Sequence, residues 1–318
     1  MRRRRILRLL AVAGGLAVLP GHRAPGLPPH LRWRGSALGA ESRIDLWLDD
    51  PALARQLILR CVAEIDRLER IFSLQRADSA LAALNRDGQL RQPPAELVTV
   101  LQAAQRMAGL SGGAFDVTVQ PLWRLYADHY ADPAGDAAGP PPRALAAVGR
   151  LVGAEGVEVA RNRVRLARPG MALTLNGIAQ GFIADRVAEL VRAAGEVSTF
   201  LDVGEVATVG HAPTGGGWLV QARAGGALLD LAGGLAVATS SPRSLSFDPA
   251  GRRSHLLEPA TLAPTASTAE VTVVADSAMV ADMASTAWCI RPGCLPADHR
   301  LPIRQLIGGP AAGTLLRS

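Results

Sequence analysis

Short segments of alternating apolar residues come in runs along this chain, with longer helical stretches set between them, and that order constrains the fold more than any other feature. Ile44, Leu46 and Leu48 alternate as a strand does. Pro51 then opens a helix in which Leu53, Leu57, Cys61, Ile65 and Leu68 fall on one face. A second helix carries Leu97, Val100, Leu101, Ala104 and Ala108 and stops at Ser111-Gly112-Gly113. A third, from Ile178 to Ala194, keeps Ile183, Val187, Leu190, Val191 and Ala194 in phase, and a fourth begins near Ser277. Strands are predicted at 163–166, 173–175, 199–203, 218–222, 235–238 and 271–274. Strands in runs with long inserted helices predict an α+β domain of mixed or antiparallel sheets, not a doubly wound one. The Pro/Gly/Ala-rich stretch 132–142 reads as a surface loop.

The composition, 48% apolar and 19% charged over 318 residues, suffices for a substantial core. The formal charge of +6 is an N-terminal property, because Arg2, Arg3, Arg4, Arg5, Arg8, Arg23, Arg32 and Arg34 all precede the first acid, Glu41. Setting those eight aside leaves 26 of the 34 basic residues against 28 acidic ones. A nucleic-acid partner, which needs a basic surface to neutralise phosphates, is therefore not expected. Arginines, an apolar run from Ile6 to Leu19 broken by Gly14 and Gly15, then Pro20 and Gly21, read as an export signal over residues 1–24. The run falls short of the ~20 residues that span a bilayer. Arg3-Arg4-Arg5-Ile6-Leu7-Arg8 fits a twin-arginine signal and predicts a periplasmic protein. The alternative is an uncleaved leader that holds the chain at the inner membrane. Residues 25–40 read as a Pro/Gly-rich linker and 41–318 as the folded body.

The chain contains no lysine, which removes Schiff-base chemistry and the P-loop lysine. Its three cysteines, Cys61, Cys289 and Cys294, do not make a zinc set; Cys289 and Cys294 are near enough in sequence to bond, but small buried thiols are the favoured reading. Asp282 and Thr286 place two oxygens one helical turn apart, as a hard cation requires, although an isolated pair of this kind more often bonds its own backbone. The unperturbed histidine pKa of ~6.5 suits His255 to the work of a general base, and a structural role is the competing reading. Asp116 follows a glycine-rich break, where it serves equally as an N-cap or as a hydrogen-bond acceptor for a ligand hydroxyl.

Five segments, in order, resemble the ApbE family of FAD:protein FMN transferases. They are Phe72-Ser-Leu-Gln-Arg-Ala-Asp78-Ser79-Ala-Leu81-Ala-Ala-Leu84-Asn85, Gly113-Ala-Phe115-Asp116-Val-Thr118-Val-Gln-Pro121-Leu122, Ala179-Gln180-Gly181-Phe-Ile-Ala-Asp185, Ser254-His255-Leu-Leu-Glu258-Pro259-Ala-Thr261-Leu262-Ala-Pro264 and Ala281-Asp282-Met-Ala-Ser-Thr286. The second is the most specific. The resemblance runs from about residue 41 to 295 and implies a single ApbE-type domain. It implies cleavage of the FAD pyrophosphate, attachment of FMN through a phosphoester to a Ser or Thr hydroxyl, and release of AMP. The implied partners are FAD as donor and an acceptor protein with an FMN-binding domain. The leader and Ser240-Ser241-Pro242 are similar to the NosX-like branch, which implies a NosR-like acceptor. Mg²⁺ is the implied cofactor, held by Asp282, Thr286 and a backbone carbonyl at Ala179, with His255 as catalytic base. Ser79, Asn85, Phe115, Asp116, Thr118, Gln180, Asp185, Thr239 and His255 are the implied flavin-binding residues; Ser79 and Asn85 serve as plausibly to cap the turn at Asn85–Gly88. Trp123, Tyr126 and Phe182 are candidate ring-stacking partners.

The match departs from the family at the centre of the motifs. Gln180 stands for a lysine, Glu258 for an aspartate, Leu262 for a glycine, Ser241 for a glycine, and a Gly-Gly pair is reduced to Gly204-Glu205. Two further readings therefore stay open: a non-catalytic FAD-binding carrier or assembly factor, and a metal-dependent FAD pyrophosphatase with water as acceptor.

Overall fold

Asp50 accepts hydrogen bonds from the backbone N–H groups of Ala52 (2.8 Å) and Leu53 (3.1 Å), and Pro51 occupies the first turn, so helix α1, Pro51–Phe72, starts where the sequence predicts. The apolar face differs by one residue at that end. Leu53 sits in the capped first turn and is 39% exposed, while Ala54, Leu57, Ile58, Cys61, Ile65, Leu68, Ile71 and Phe72 are buried. The computed structural model describes residues 19–20, 27–195, 197–222, 226–232, 234–296, 301–308 and 316–317. The expected export signal thus lies outside the described residues apart from Leu19 and Pro20.

Six more helices are found among the described residues: α2, Ala80–Asp87; α3, Ala95–Leu110; α4, Gln120–Ala131; α5, Pro142–Gly149; α6, Ala179–Arg192; and α7, Ala278–Ile290. The principal sheet runs, in spatial order, through Leu19–Pro20, His30–Ala37, Ala40–Trp47, Ser198–Asp202, Val206–Val209, Ala236–Ser240, Val271–Ala275, Ile303–Gly308 and Leu316–Arg317. Every pairing in it is antiparallel. This is the α+β arrangement that the runs of strands predict.

Alternation decides what each face of the sheet meets. Ile44, Leu46, Ala236, Ala238, Val271 and Val273 point into the main core with α1, α6 and α7. Val237, Val274 and Ile307 point the other way, where Trp218, Leu229 and Leu231 of the hairpin formed by Trp218–Gln221 and Leu228–Leu231 cover them.

Two segments depart from the sequence reading. The linker expected at 25–40 contains the strand His30–Ala37, paired along its length with Ala40–Trp47. Asp45, 3% exposed, takes His30 (2.7 Å), Arg32 (2.5 Å) and Arg43 (3.0 Å) as partners, and Gly35, lacking a side chain, lets the Trp33 ring lie over it. Conversely, 173–175 joins no sheet. Its backbone is satisfied by Asn85, which accepts from Leu173 N (2.7 Å) and donates to Leu173 O (2.9 Å), and by Val117 O, which accepts from Thr174 N (2.8 Å). The 132–141 segment is a chain of turns on the surface, as expected.

Candidate active site

Helix α7 is built from small residues because it is enclosed on nearly all sides, with Ala278, Ala281, Ala284, Ala287 and Ser285 buried among its neighbours. Its first turn is capped twice. Ser277 accepts from Val280 N (3.3 Å), and the Asp185 carboxylate accepts from Ser277 Oγ (2.6 Å), Ala278 N (2.7 Å) and Met279 N (3.0 Å). One turn in, α6 crosses closely enough for Gly181 N to donate to Asp282 Oδ2 at 3.2 Å. Asp282 is 3% exposed, and burial, with the nearby Asp185 charge adding to it, pushes its carboxyl up to about 8 against the opposing Gly181 hydrogen bond. Thr286 stands one turn further along, and both residues line the same cavity.

That cavity has a volume of about 180 Å³, smaller than the ~300–1,000 Å³ typical of small-molecule sites. One wall is the glycine-rich turn after α3. There Ser111 Oγ accepts from Phe115 N (3.1 Å), which turns Phe115 and Asp116 inward. A second wall is the strand end Thr239-Ser240-Ser241, and a third is the segment carrying His255 and Leu256. The His255 Nδ1 lies 3.0 Å from Leu245 O. A carbonyl only accepts, so Nδ1 holds the proton and Nε2 keeps its lone pair. Burial lowers the His255 pKa, with the Leu245 hydrogen bond opposing, so the imidazole is neutral near pH 7. A buried carboxyl group, a hydroxyl and an imidazole with a free nitrogen therefore share one cleft.

Residues 38–293 match the ApbE family. The chain belongs to the ApbE family. The FAD:protein FMN transferase of Vibrio cholerae is 29% identical over 94% of this chain and 93% of its own length, and that of Klebsiella pneumoniae is 27% identical over 78% and 75%. Among solved structures, apo flavinyl transferase ApbE of Pseudomonas stutzeri superposes with a TM-score of 0.72 at 24% identity, covering 84% of this chain and 88% of that one. The ApbE protein of Thermotoga maritima gives 0.73 at 24%, covering 83% and 87%. The two superpositions carry the fold.

Of the residues the ApbE resemblance assigns, the structure brings Phe115, Asp116, Thr239, His255, Asp282 and Thr286 to the cavity. Asp116 does so while capping: it accepts from Thr118 N (2.8 Å), Thr118 Oγ1 (2.6 Å) and Ala154 N (3.0 Å). Burial raises the Asp116 pKa against those donors. Thr239 reaches the wall, but its hydroxyl pairs with Thr272 Oγ1 (2.9 Å) on the opposite face of the sheet. Ser240, one residue on, faces α7 instead, at 3.2 Å from Thr286 Oγ1. The sequence reading missed it, although the alternation Ala236, Ala238, Ser240 puts all three on the helix side.

The others serve the scaffold. Ser79 caps α2 through Ala82 N (3.0 Å), Asn85 holds Leu173, Thr118 accepts from Gly153 N (2.7 Å), and Asp185 caps α7. Ala179 is buried in the first turn of α6, just past the cavity residues Asn176 and Gly177. Among the ring candidates, Trp123 lines the cavity, edge-on to Phe247. Tyr126 instead donates to Leu262 O (3.1 Å), and Phe182 packs edge-on against Phe72 in the core. Cys61 and Cys289 are buried free thiols pushed up to about 12 by burial, and Cys294 is pushed up to about 11. None is a thiolate nucleophile near neutral pH.

Three of the five departures from the ApbE pattern have local accounts. Leu262 holds φ of 56°, the left-handed conformation that glycine adopts freely, and its side chain packs over the bare Cα of Gly149, where a Cβ would fall 2.4 Å from Leu262 Cδ1. Gln180 lays its amide over Gly204 (φ 94°), where a Cβ would lie 2.6 Å from Gln180 Cδ. Glu258 pairs with Arg291 at 3.4 Å, and Arg291 also donates to Gly112 O (3.0 Å), so one side chain ties the glycine-rich turn to the His255 wall.

Proposed function

We propose that this chain is a Mg²⁺-dependent FAD:protein FMN transferase. The observation that carries the reading is that the buried Asp282 and the half-buried Thr286 line one cavity with His255, whose Nδ1 faces the Leu245 carbonyl and leaves Nε2 free. In the reaction, the acceptor Ser or Thr hydroxyl gives its proton to His255 Nε2 and its oxygen bonds the FMN-side phosphorus of FAD. The bond from that phosphorus to the bridging oxygen breaks, and AMP leaves with that oxygen and the electron pair. The products are a phosphoester of FMN on the acceptor and AMP, so the atoms balance. Such transfers need positioning and charge neutralisation more than covalent help from the protein.

The donor set fits Mg²⁺. One carboxylate and one hydroxyl suit an ion that keeps waters and takes substrate phosphate oxygens, whereas zinc favours nitrogen and sulfur ligands. An ionised carboxylate as buried as Asp282 also needs a cation. When bound, Mg²⁺ supplies charge neutralisation at the pyrophosphate, which this chain, lacking lysine, does not draw from an ammonium group. Trp123 and Phe115 offer apolar surface to the flavin or adenine ring, and Asn176 and Ser241 offer polar groups at the wall.

The acceptor we propose is a periplasmic protein with an FMN-binding domain, NosR-like if the leader and Ser240-Ser241-Pro242 follow the NosX-like branch. The arginine-rich leader supports export by the twin-arginine route. The test is the intact mass of such an acceptor after incubation with the chain, FAD and Mg²⁺. The expected result is a gain of one FMN phosphoester with matching AMP, abolished by EDTA. FAD binding with neither product would overturn transfer and leave the carrier reading; AMP release with an unmodified acceptor would leave the pyrophosphatase.

A further inference from the structure

Three hydroxyls and one carbonyl stand in line beside the cavity. Ser285 Oγ lies 3.1 Å from Asp282 O, Ser240 Oγ lies 2.8 Å from Ser285 Oγ, and Ser240 Oγ lies 3.2 Å from Thr286 Oγ1. A hydroxyl has one proton to donate, and a carbonyl has none. Ser285 therefore gives its proton to the Asp282 carbonyl. With that proton committed, the Ser240–Ser285 contact is made by the Ser240 proton. With the Ser240 proton committed, the Ser240–Thr286 contact is made by the Thr286 proton. The direction of the whole chain follows from the carbonyl at its end.

We infer that Ser240 and Ser285 are positioning residues, a hydroxyl relay that draws the Thr286 proton away from the cavity and leaves the Thr286 lone pairs facing in as a fixed acceptor for a divalent cation. The inference rests on the metal reading proposed above and deepens it. Two further observations support the assignment. Thr286 Oγ1 faces Gly177, where a Cβ would come within 2.9 Å, so the approach to the oxygen is open because residue 177 has no side chain. Ser285 is fully buried, its hydroxyl enclosed between the sheet and α7, so water does not compete for the Ser285 link that sets the direction of the relay. The consequence is chemical selectivity. With its proton turned inward, Thr286 would donate to a phosphate oxygen or to the Asp282 carboxylate and would not ligate a cation. With the relay intact it accepts only, as a hard cation requires of a neutral oxygen ligand. Such outer partners of metal ligands typically change affinity 10–100-fold when removed.

The test uses Mn²⁺ as probe, titrated by electron paramagnetic resonance into the chain with and without FAD. The proteins are the wild type, Ser240→Ala, Ser240→Thr and Ser285→Ala, each with a thermal melt and an FAD titration in EDTA. The relay predicts about tenfold weaker Mn²⁺ binding in Ser240→Ala and in Ser285→Ala, with both proteins still melting cooperatively and with metal-free FAD affinity unchanged in Ser285→Ala, which lines no part of the cavity. Ser240→Thr retains a hydroxyl and is expected to stay within about threefold of the wild type by the same reasoning. Ser285→Ala is decisive, because it removes no atom near the cation and acts only by freeing the Ser240 proton to turn toward Thr286; it also carries the test if Ser240→Ala fails to fold. Wild-type Mn²⁺ affinity in Ser285→Ala would overturn the relay while leaving the metal site standing. A wild-type chain that binds no Mn²⁺ in either condition would overturn the metal reading itself, and the relay with it.

Discussion

Gly181→Ala tests the α6–α7 crossing that brings the backbone to Asp282. Gly181 is in the first turn of α6, where replacing glycine with alanine alone gains up to about 1 kcal/mol from helix propensity. The structure predicts the opposite sign. A Cβ at Gly181 would lie 2.4 Å from Ala278 O, 2.6 Å from Ala278 C and 2.7 Å from Met279 Cα. All three are backbone atoms of the first turn of α7, which Asp185 and Ser277 hold in place. Restoring ordinary contact requires the helices to part by about 1 Å, and overpacking of this kind costs about 1–3 kcal/mol or more, which exceeds the propensity gain. A net loss of about 1–2 kcal/mol is expected, a fall of several degrees in Tm for a chain of this size. The same movement stretches the Gly181 N to Asp282 contact, already 3.2 Å. Gly109 supplies the internal control: it is also helical, and a Cβ there meets nothing within 4 Å, so Gly109→Ala is expected to stabilise by up to about 1 kcal/mol. Urea unfolding of both variants checks the pair. A Gly181→Ala protein more stable than the wild type would refute the close crossing.

Three other outcomes follow from the same structure. Asn85→Ala leaves the N–H and C=O of the buried Leu173 unpaired and is expected to lower unfolding stability by about 2–4 kcal/mol; unchanged stability with a large loss of FAD affinity would return Asn85 to the binding site. Leu262→Gly relieves a left-handed leucine by about 1–2 kcal/mol and gives up apolar packing of similar size, so it is expected to be near neutral, whereas Gly149→Ala is expected to cost about 1 kcal/mol more in the wild type than in the Leu262→Gly background; strict additivity in a denaturation cycle would sink the contact. Because the folded-state pKa of His255 lies below its ordinary value, the neutral base persists to lower pH, and the acid limb of kcat/KM should fall below ~6.5; the stability linked to this histidine is complete above that pH and declines as pH drops. A limb above 7 that His255→Ala abolishes would contradict the burial argument.

Elements whose cause is local were legible in the sequence. The α1 and α3 stripes, the Pro51 start and the Ser277 start of α7 follow from periodicity and capping within a few residues. What escaped depends on partners far along the chain. His30–Ala37 resembles a linker because Pro28, Pro29 and Gly35 punctuate it, and it becomes a strand through the Ala40–Trp47 ladder and the Asp45 cluster. Asp185 stands in a binding motif, yet its partners are 92 to 94 residues away at the head of α7. Segment 173–175 has the composition of a strand, but a side chain 88 residues away replaces its ladder. At the cavity, order along the chain found Asp282, Thr286 and His255, whereas the parity of one strand decided between Thr239 and Ser240.

Central to the proposed function is a divalent cation between Asp282 and Thr286, at the pyrophosphate of bound FAD. A crystal of the chain grown with FAD and Mn²⁺, without acceptor, tests that placement through the anomalous signal of the metal. The expected result is a single strong peak within about 2.2 Å of an Asp282 carboxylate oxygen and of Thr286 Oγ1, with a phosphate oxygen as a further ligand and His255 Nε2 turned toward the FMN-side phosphorus. FAD bound in the cavity with the anomalous peak elsewhere, or with Asp282 hydrogen-bonded to the flavin in place of a metal, would contradict it.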